Sequence, residues 1–385
     1  MSNLFFILLL LIFSLFINLQ ALTLPADISA LQAFKAAIKP TTIPSWSCLG
    51  SWNFTFDPCS LPHRTHFICG ITCNSDSTRI TSIVLDPVGY SGTLSPLIST
   101  LTQITHIDLS ENSFYGPIPS SISSLSNLET LTLRFNTFSG TLPPSLTSLK
   151  TLKSLDISHN TITGTLPNTF NSLSSLRSMD LSFNKFTGSL PKLPPNIAEL
   201  AIKANSLSGF LSESSFQGLN HLEVVELSAN FFTGSLKGWF FLLPSLQQVN
   251  LSNNSLTSVE IWKPTNPRSD LVAVDLGFNK LEGFLPVNFK KFPILSSLSL
   301  RYNKFRGPIP YGNKLSLRRL FLDGNFLNGK VPSRFFSNGS SSSGSISGSF
   351  ADNCLESCPS SSQLCLPSQK PISVCKQAYG RRPRA

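Results

Sequence analysis

A unit of 24 residues repeats through most of this chain and restricts its fold more than any other feature. The stretches IDLSENSFYGPIP at residue 107, LTLRFNTFSGTLP at 131 and LDISHNTITGTLP at 155 align without a gap. An earlier copy at residue 83 has Val88 at the register where ten later copies carry asparagine: Asn112, Asn136, Asn160, Asn184, Asn205, Asn230, Asn254, Asn279, Asn303 and Asn325. One copy cannot bury its own apolar side, so the copies must stack into a solenoid.

The residue types that recur in each copy have a structural reason. Leu131 and Leu133 alternate as a short strand that turns both leucines inward. The amide of the asparagine that follows has two donors and one acceptor, so we expect it to bond inward-turned backbone groups in a buried ladder. A glycine four residues later, such as Gly140, permits a tight turn. The ten asparagines are therefore interpreted as structural.

These segments resemble the plant extracellular leucine-rich repeat, L-x-x-L-x-L-x-x-N-x-L-x-G-x-I-P, over about two thirds of the chain. The resemblance implies an α/β leucine-rich repeat solenoid of about 11 repeats, a curved right-handed superhelix with a parallel β-sheet on its concave side. Receptor-like protein ectodomains and polygalacturonase-inhibiting proteins share this repeat, and both families carry cysteine-stapled caps at the two ends.

The cysteines fall into two groups that match such caps. Four precede residue 74 and four follow residue 353, namely Cys48, Cys59, Cys69, Cys73, Cys354, Cys358, Cys365 and Cys375. The two groups lie at opposite ends of a solenoid, so each must pair within itself, which leaves three pairings open in each group. Neither group has the spacing of a standard zinc finger, so we predict disulfides, no bound metal and no cofactor.

The domain organisation follows from these segments. We predict a signal peptide at 1–21, an N-terminal cap at 22–79, a solenoid at 80–336, a Ser/Gly-rich link at 337–350, and a C-terminal cap with a basic tail at 351–385. In the N-terminal cap, Leu31 and Phe34 share one face of a helix whose start Asp27 is expected to cap.

The compartment is predicted from the same segments. The apolar run from Leu4 to Ile17 suits a secretory signal, and no second run is long enough to cross a bilayer. Export would also allow glycosylation at four sequons: Asn53, Asn250, Asn253 and Asn338. The sequence therefore predicts a protein of the cell exterior or cell wall without a transmembrane anchor, held at the plasma membrane only through a partner.

Catalytic motifs are not found in this sequence. The five histidines are dispersed, and neither a nucleophile elbow nor a phosphate-binding loop occurs. Carboxylates recur between the strand leucines, as at Asp156 and Asp180, and repeated positions of this kind indicate a solvated face. The basic residues are too scattered for nucleic-acid binding. We therefore predict that the protein is not an enzyme.

The residue before the ladder asparagine is the most informative exposed position. This position is aromatic in four copies, and His159 occupies it in a fifth copy. Basic residues lie nearby in the sequence. The candidate ligand-binding residues are Phe135, Phe183, Phe278, Tyr302, Arg134, Arg301, His159, Arg318 and Arg319. Aromatic rings and guanidinium groups are typical anchors of protein interfaces. Alternatively, the rings pack against neighbouring coils. A glycan on Asn250 would divide the concave face into two footprints, at copies three to five and ten to eleven.

The sequence thus predicts a secreted recognition protein that binds a protein or peptide on its concave face. It would act in signalling or defence as the partner of a membrane receptor, such as a receptor kinase ectodomain. The alternative is a cell-wall inhibitor of a polysaccharide-degrading enzyme. A formal net charge of +10 would give such an inhibitor affinity for anionic pectin.

Overall fold

The structure, a computed structural model, describes residues 22–60, 66–264, 269–310, 317–336 and 346–380. Within these ranges the chain winds into a leucine-rich repeat solenoid, which confirms the predicted fold class. The predicted signal peptide, the Asn338 sequon and the end of the basic tail lie outside the described residues.

A 13-stranded sheet lines the concave side of the solenoid. Its first strand, Ile71–Cys73, is antiparallel, and the other twelve are parallel and define coils 1 to 12. These strands are Ile80–Val84, His106–Asp108, Thr130–Thr132, Ser154–Asp156, Ser178–Asp180, Glu199–Ala201, Val224–Glu226, Gln248–Asn250, Ala273–Asp275, Ser297–Ser299, Arg319–Phe321 and Ser347–Ser349. Met179 pairs with Leu155 on one side and Leu200 on the other, so the repeat register continues through the sheet.

A second set of short strands follows the ladder asparagines and forms the lateral face. It divides into three sheets: Ser91–Gly92, Ser113–Gly116 and Thr137–Phe138; then Thr163–Thr165, Lys185–Gly188, Ser206–Gly209, Phe231–Leu236 and Ser255–Val259; then Glu282–Phe284, Lys304–Gly307, Phe326–Lys330 and Cys354–Ser357. The glycine that ends several of these strands has a positive φ, as in Gly188 at 82°, which a side chain would disfavour.

Short helices form the third side of most coils. Seven are 3₁₀ helices, Pro96–Thr100, Ser120–Ser124, Pro144–Ser148, Phe170–Ser172, Gly238–Leu242, Val287–Lys291 and Ser333–Phe335, and one is an α-helix, Glu213–Phe216. Leucines and isoleucines meet inside each coil, as Leu152, Leu155, Ile157 and Ile162 do in coil 4, where each is at most 1% exposed. The core is one continuous apolar column, as stacked coils require.

The asparagine ladder runs along the inside of this column. In coil 4, Asn160 Nδ2 donates to the carbonyls of Leu133, Ile157 and Ser158 at 3.0–3.1 Å, and its Oδ1 accepts from Phe138 N–H at 2.9 Å. All ten predicted asparagines are buried and make equivalent bonds to their own coil and the preceding one. The ladder therefore satisfies backbone groups that the turn points into the core.

The N-terminal cap begins with a helix, Pro25–Ala36, but the predicted role of Asp27 is wrong. The helix starts directly after Leu24, because proline is favoured at the first helical position, and Asp27 lies within its first turn. The Asp27 carboxylate is fully buried, 3.1 Å from Arg79 Nε, and accepts from Ile80 N–H at 2.9 Å. Asp27 thus joins the cap helix to coil 1.

The cysteines form two disulfides in each cap. The N-terminal pairs are Cys48–Cys69 and Cys59–Cys73, and the C-terminal pairs are Cys354–Cys375 and Cys358–Cys365. The caps also contain the 3₁₀ helices Pro40–Thr42 and Gln363–Cys365 and the α-helices Cys48–Ser51 and Ile372–Gly380. Each cysteine quartet therefore closes one end of the core, and no pair links the two ends.

The C-terminal cap starts with a twelfth coil that the sequence analysis assigns to the flexible link. Residues 347–349 form a strand of the concave sheet, and Asn353 makes the ladder bonds, donating to Leu322 O at 2.9 Å. Gly348 occupies the first leucine position, where an added Cβ would lie 1.8 Å from Leu320 O. Because Gly348 and Phe350 replace the two leucines, the repeat pattern is not recognisable in the sequence here.

Candidate ligand-binding face

Four side chains of each coil line the concave face. In coil 5 they are Ser178 and Asp180 of the strand, then Ser182, then Phe183 directly before the ladder asparagine. Strands in register align the same four positions in neighbouring coils at intervals of about 4.8 Å. The concave side therefore has four straight rows, of which the row of Ser182 is buried in coil 5, so a ligand along this coil meets Ser178, Asp180 and Phe183.

The row directly before the ladder asparagines has an unusual backbone. Every member from coil 2 to coil 12 has a positive φ between 49° and 72°: Glu111, Phe135, His159, Phe183, Ala204, Ala229, Asn253, Phe278, Tyr302, Gly324 and Asp352. Bulky residues rarely adopt this conformation. Backbone bonds between coils hold it, such as Phe135 N–H to Ser158 O at 3.0 Å. We call this line of residues the αL row.

Three rings of the αL row form one stack in coils 3 to 5. The centroid of His159 lies 4.0 Å from that of Phe135 and 4.1 Å from that of Phe183. Cations cover both ends of the stack, with Arg134 5.9 Å from the Phe135 centroid and Lys203 5.6 Å from that of Phe183. The ring faces are thus occupied, yet Phe135 and Phe183 remain 45% and 41% exposed through their edges.

A second ring pair occupies the αL row in coils 9 and 10. Phe278 and Tyr302 stack at 4.7 Å, and the far side of Tyr302 lies against Gly324, where an added Cβ would be 2.5 Å from the ring. The structure therefore shows the packing alternative, and ligand binding by these rings stays a prediction. The rings pack across coils, and 45% or more of each side chain in this pair is exposed.

The carboxylates of the concave strands brace the turn that follows them. Asp156, Asp180 and Asp275 each accept, through Oδ1, the backbone N–H two residues later at 2.8–3.0 Å. Carboxylates in this arrangement stabilise a local turn, and the second oxygen of each remains available to a ligand. The row is therefore structural and also acidic towards the concave side.

The predicted arginines differ in their surroundings. Arg134 pairs with Glu111 at 3.3 Å on the surface. Arg301 lies 4.5 Å from the Phe321 centroid and 3.3 Å from Asp323 Oδ1, although this contact lacks hydrogen-bond geometry. Burial raises the pKa of Asp323 above its ordinary value, and the Arg301 charge opposes that rise. Arg301 is thus fixed in place on the concave face.

Arg318 and Arg319 are both exposed, but of the two only Arg319 borders a cavity on the concave face. This cavity has a volume of about 460 Å³ and extends over the strands of coils 7 to 12. Its charged lining consists of Glu226, Asp275, Arg301 and Arg319. Phe321 also lines this cavity, although it is not among the candidates predicted from the sequence. Its position between Leu320 and Leu322 is the sequence signal that places it on the concave face.

The sequons within the described residues lie in three different settings. Asn53 is exposed in the N-terminal cap, and Asn253 is exposed in the αL row. Asn250 lies in the concave cavity, where its Nδ2 donates to Glu226 Oε2 at 2.8 Å and its Oδ1 accepts from Ser252 N–H at 3.0 Å. Glycosylation at these three positions and at Asn338 stays a prediction.

Among the described residues, no helix is long and apolar enough to span a membrane, and no group of side chains has the composition of a metal site. Three of the five histidines, His106, His159 and His221, lie in different coils, so the concave face does not gather them. The exposed groups that the fold does align are aromatic rings, carboxylates and guanidinium groups, and aromatic rings and guanidinium groups are typical anchors of protein interfaces.

Comparison with known proteins agrees with this geometry. Models of the leucine-rich repeat match residues 126–186 and 195–256, and also 103–125 and 175–200. Receptor-like protein 7 of Arabidopsis thaliana is 39% identical over 101 residues, which is 24% of this chain and 10% of that protein. This chain therefore spans only a small part of the curated relative that it matches.

Solved plant receptors are similar over a longer range. The peptide hormone receptor RGFR1, in complex with RGF2, is 28% identical with a TM-score of 0.65, over 72% of this chain and 44% of that one. PEPR1, in complex with AtPEP1, is 30% identical with a TM-score of 0.66, over 80% and 46%. By its repeats, its ladder and these similarities, the chain is a leucine-rich repeat protein with the fold of plant receptor ectodomains.

Proposed function

We propose that this protein is an extracellular, non-enzymatic recognition protein that binds a protein or peptide on its concave face and acts with a membrane receptor. The ring stack of Phe135, His159 and Phe183, whose two phenylalanines are exposed, is the observation that carries the proposal. Phe135 and Phe183 remain over 40% exposed, so they contribute little to the solenoid core. Both also have a positive φ, which bulky residues rarely adopt. Aromatic edges flanked by cations are, however, effective interface anchors.

The similar receptors support the same proposal. RGFR1 and PEPR1 were solved in complex with RGF2 and AtPEP1, and both receptors are similar to this chain in fold. The Arabidopsis receptor kinase HAESA, solved in complex with the peptide hormone IDA and the co-receptor SERK1, has a similar fold at 22% identity. We extend to this chain the capacity to bind a peptide and the association with a second ectodomain.

The proposal predicts that the concave rings contribute to capture of a receptor kinase ectodomain. In a panel of purified ectodomains, we expect wild-type protein to capture at least one in about 1 M salt, because buried apolar contacts are not screened. Phe183→Ala or Tyr302→Ala should weaken capture about tenfold, the loss typical of an anchor residue. Phe231→Ala is the matched control, since Phe231 is 58% exposed on a lateral strand. Equal capture by all three variants would exclude the concave rings as anchors.

A second candidate function, retention on acidic wall polysaccharide, is favoured by the lateral face of coils 9 to 11. Lys280, Lys304, Arg306 and Lys330 are exposed there, and the ion pairs of the described residues include none of them. Phe284 and Phe326 are the cross-strand neighbours of Arg306. Cations beside aromatic rings suit a chain of negatively charged sugars, and this face accounts for part of the +10 charge.

This second function predicts salt-sensitive retention on immobilised polygalacturonate. Wild-type protein should be retained at low ionic strength and released below about 1 M salt, since exposed charges are screened there. The double variant Lys304→Glu with Arg306→Glu should not be retained. Lys185→Glu is the matched control, because Lys185 holds the position of Lys304 on an earlier coil. Retention unchanged at high salt would contradict an electrostatic wall-binding function.

A further inference from the structure

The concave cavity of coils 7 to 12 has an acidic and a basic part. Glu226 and Asp275 of coils 7 and 9 form the acidic end, Arg301 and Arg319 of coils 10 and 11 form the basic end, and Asp275 and Arg301 lie on adjacent coils where the two parts meet. Elsewhere on the concave face, Arg134 forms an ion pair with Glu111 at 3.3 Å. Separated charges create a field along the cavity.

At the acidic end, the carboxylates are held by neutral groups. Glu226 accepts from Ser228 N–H at 3.1 Å through Oε1 and from Asn250 Nδ2 at 2.8 Å through Oε2. Asp275 accepts from Gly277 N–H at 2.8 Å. Within the described parts of the chain neither carboxylate has an ion-pair partner, so their negative charge is oriented but not neutralised.

At the basic end, one arginine is fixed and the other is free. The guanidinium of Arg301 lies against Phe321 and beside Asp323, and Gly277 makes room for its stem, since an added Cβ there would lie 2.9 Å from Arg301 Cγ. Arg319 projects from the next strand without an ion pair in the described chain. The excess positive charge at this end is therefore centred on Arg319.

Small side chains line the middle of the cavity, in coils 9 and 10. They are Ala273, Ser297 and Ser299. Ser299 is 7% exposed, and its hydroxyl has no hydrogen-bond partner. A buried hydroxyl without a partner is costly, and a polar group of a ligand that reaches the cavity floor would relieve that cost after a rotation of the side chain.

From this arrangement we propose that the cavity binds a short peptide segment with separated charges, its cationic group over coils 7 to 9 and its anionic group over coils 10 and 11. Asp275 and Arg319 are two coils apart, about 10 Å, and Glu226 and Arg319 are four coils apart, about 19 Å. An extended segment of about three to six residues spans these distances. A segment of one charge would be repelled at one end.

The inference rests on the proposed concave binding function and requires that Asn250 is unmodified. Its Nδ2 is committed to Glu226 inside the cavity, and a glycan on that atom would fill the space between the charged ends. The binding protein is therefore prepared with Ser252→Ala, which removes the sequon and leaves the Asn250 side chain and its backbone bond in place. In contrast to the glycan predicted from the sequon, this inference expects Asn250 to be unmodified in wild-type protein, which mass spectrometry measures.

The test uses four capped hexapeptides as probes, measured by fluorescence anisotropy. The segregated peptide KKSGEE should bind more tightly than the composition-matched KEGSEK and than the uniform peptides KKSGKK and EESGEE. Arg319→Glu should weaken KKSGEE binding about tenfold and strengthen KKSGKK binding, because the cavity then carries acidic charge at both ends. Arg318→Glu is the control, since Arg318 is the exposed neighbour that does not line the cavity.

Equal binding of the segregated and mixed peptides, or equal effects of Arg319→Glu and Arg318→Glu, would overturn the inference. The proposed function has a separate readout, because ectodomain capture through Phe183 and Tyr302 does not depend on charge order. If the protein captures an ectodomain through Phe183 and Tyr302 but binds the segregated and mixed peptides equally, only the charge-ordered cavity is refuted. If the Phe183 and Tyr302 variants capture the ectodomain as well as wild-type protein does, the broader proposal is refuted.

Discussion

Replacing Asn160 with alanine should lower the free energy of unfolding by about 3–5 kcal/mol, because one side chain satisfies four buried backbone groups. The variant leaves the carbonyls of Leu133, Ile157 and Ser158 and the N–H of Phe138 without their partner. No water reaches the interior of coil 4 easily, since its apolar side chains are almost fully buried. Each orphaned group adds a desolvation cost of about 1–3 kcal/mol, and the costs overlap.

Chemical denaturation followed by circular dichroism measures this effect. Asn127→Ala is the matched control, because Asn127 also donates its amide to a backbone carbonyl of the preceding coil, Thr102 O at 2.8 Å, but on the exposed surface. Its loss should cost no more than about 0.5 kcal/mol. If Asn160→Ala costs as little as Asn127→Ala, the ladder does not stabilise the solenoid.

Removing the Cys48–Cys69 disulfide with serine at both positions should cost about 3 kcal/mol and release the first coils locally. The two cysteines are separated by 21 positions in the sequence. A disulfide that closes a loop of this size substantially lowers the conformational entropy of the unfolded chain. Each coil contacts only its neighbours, so loss of a cap should fray the adjacent coils first. Hydrogen exchange should accelerate in coils 1 and 2 and remain slow in coils 6 to 8.

The Cys354–Cys375 bond offers a matched comparison, because it has the same sequence separation of 21 at the opposite end. Its double serine variant should accelerate exchange in coils 11 and 12 and leave coil 1 protected. Uniform acceleration through the central coils in either variant would show that the solenoid opens as one cooperative unit. The account of two independent end caps would then be incorrect.

The fold was predictable because its strongest determinant is periodic. The spacing from Asn112 to Asn184 sets the ladder, and the leucines on either side of each solvent-facing strand residue set the core. The segregation of the cysteines likewise predicts two closed ends. Asn353 was not predicted as a ladder residue, because Gly348 and Phe350 occupy the leucine positions of coil 12. Close packing against Leu320 determines that only glycine fits at position 348.

The binding face was only partly predictable. The sequence placed Phe135, His159 and Phe183 in one register, but their stacking depends on the positive φ of the αL row, which no spacing reveals. Asp27 shows a similar limit. Its place near the start of a helix favours a capping role, whereas its actual partner, Arg79, is 52 residues away. Contacts between distant residues decide such cases.

Site-specific photocrosslinking tests the central claim, ligand binding on the concave face, most directly. Benzoylphenylalanine is introduced singly in place of Phe183, Tyr302 or Leu97, the last being 51% exposed on a 3₁₀ helix outside the concave face. In protein secreted by plant cells and irradiated at the cell surface, the account predicts the same covalent adduct from the Phe183 and Tyr302 positions and none from Leu97. An adduct from the Leu97 position without one from either concave position would contradict it.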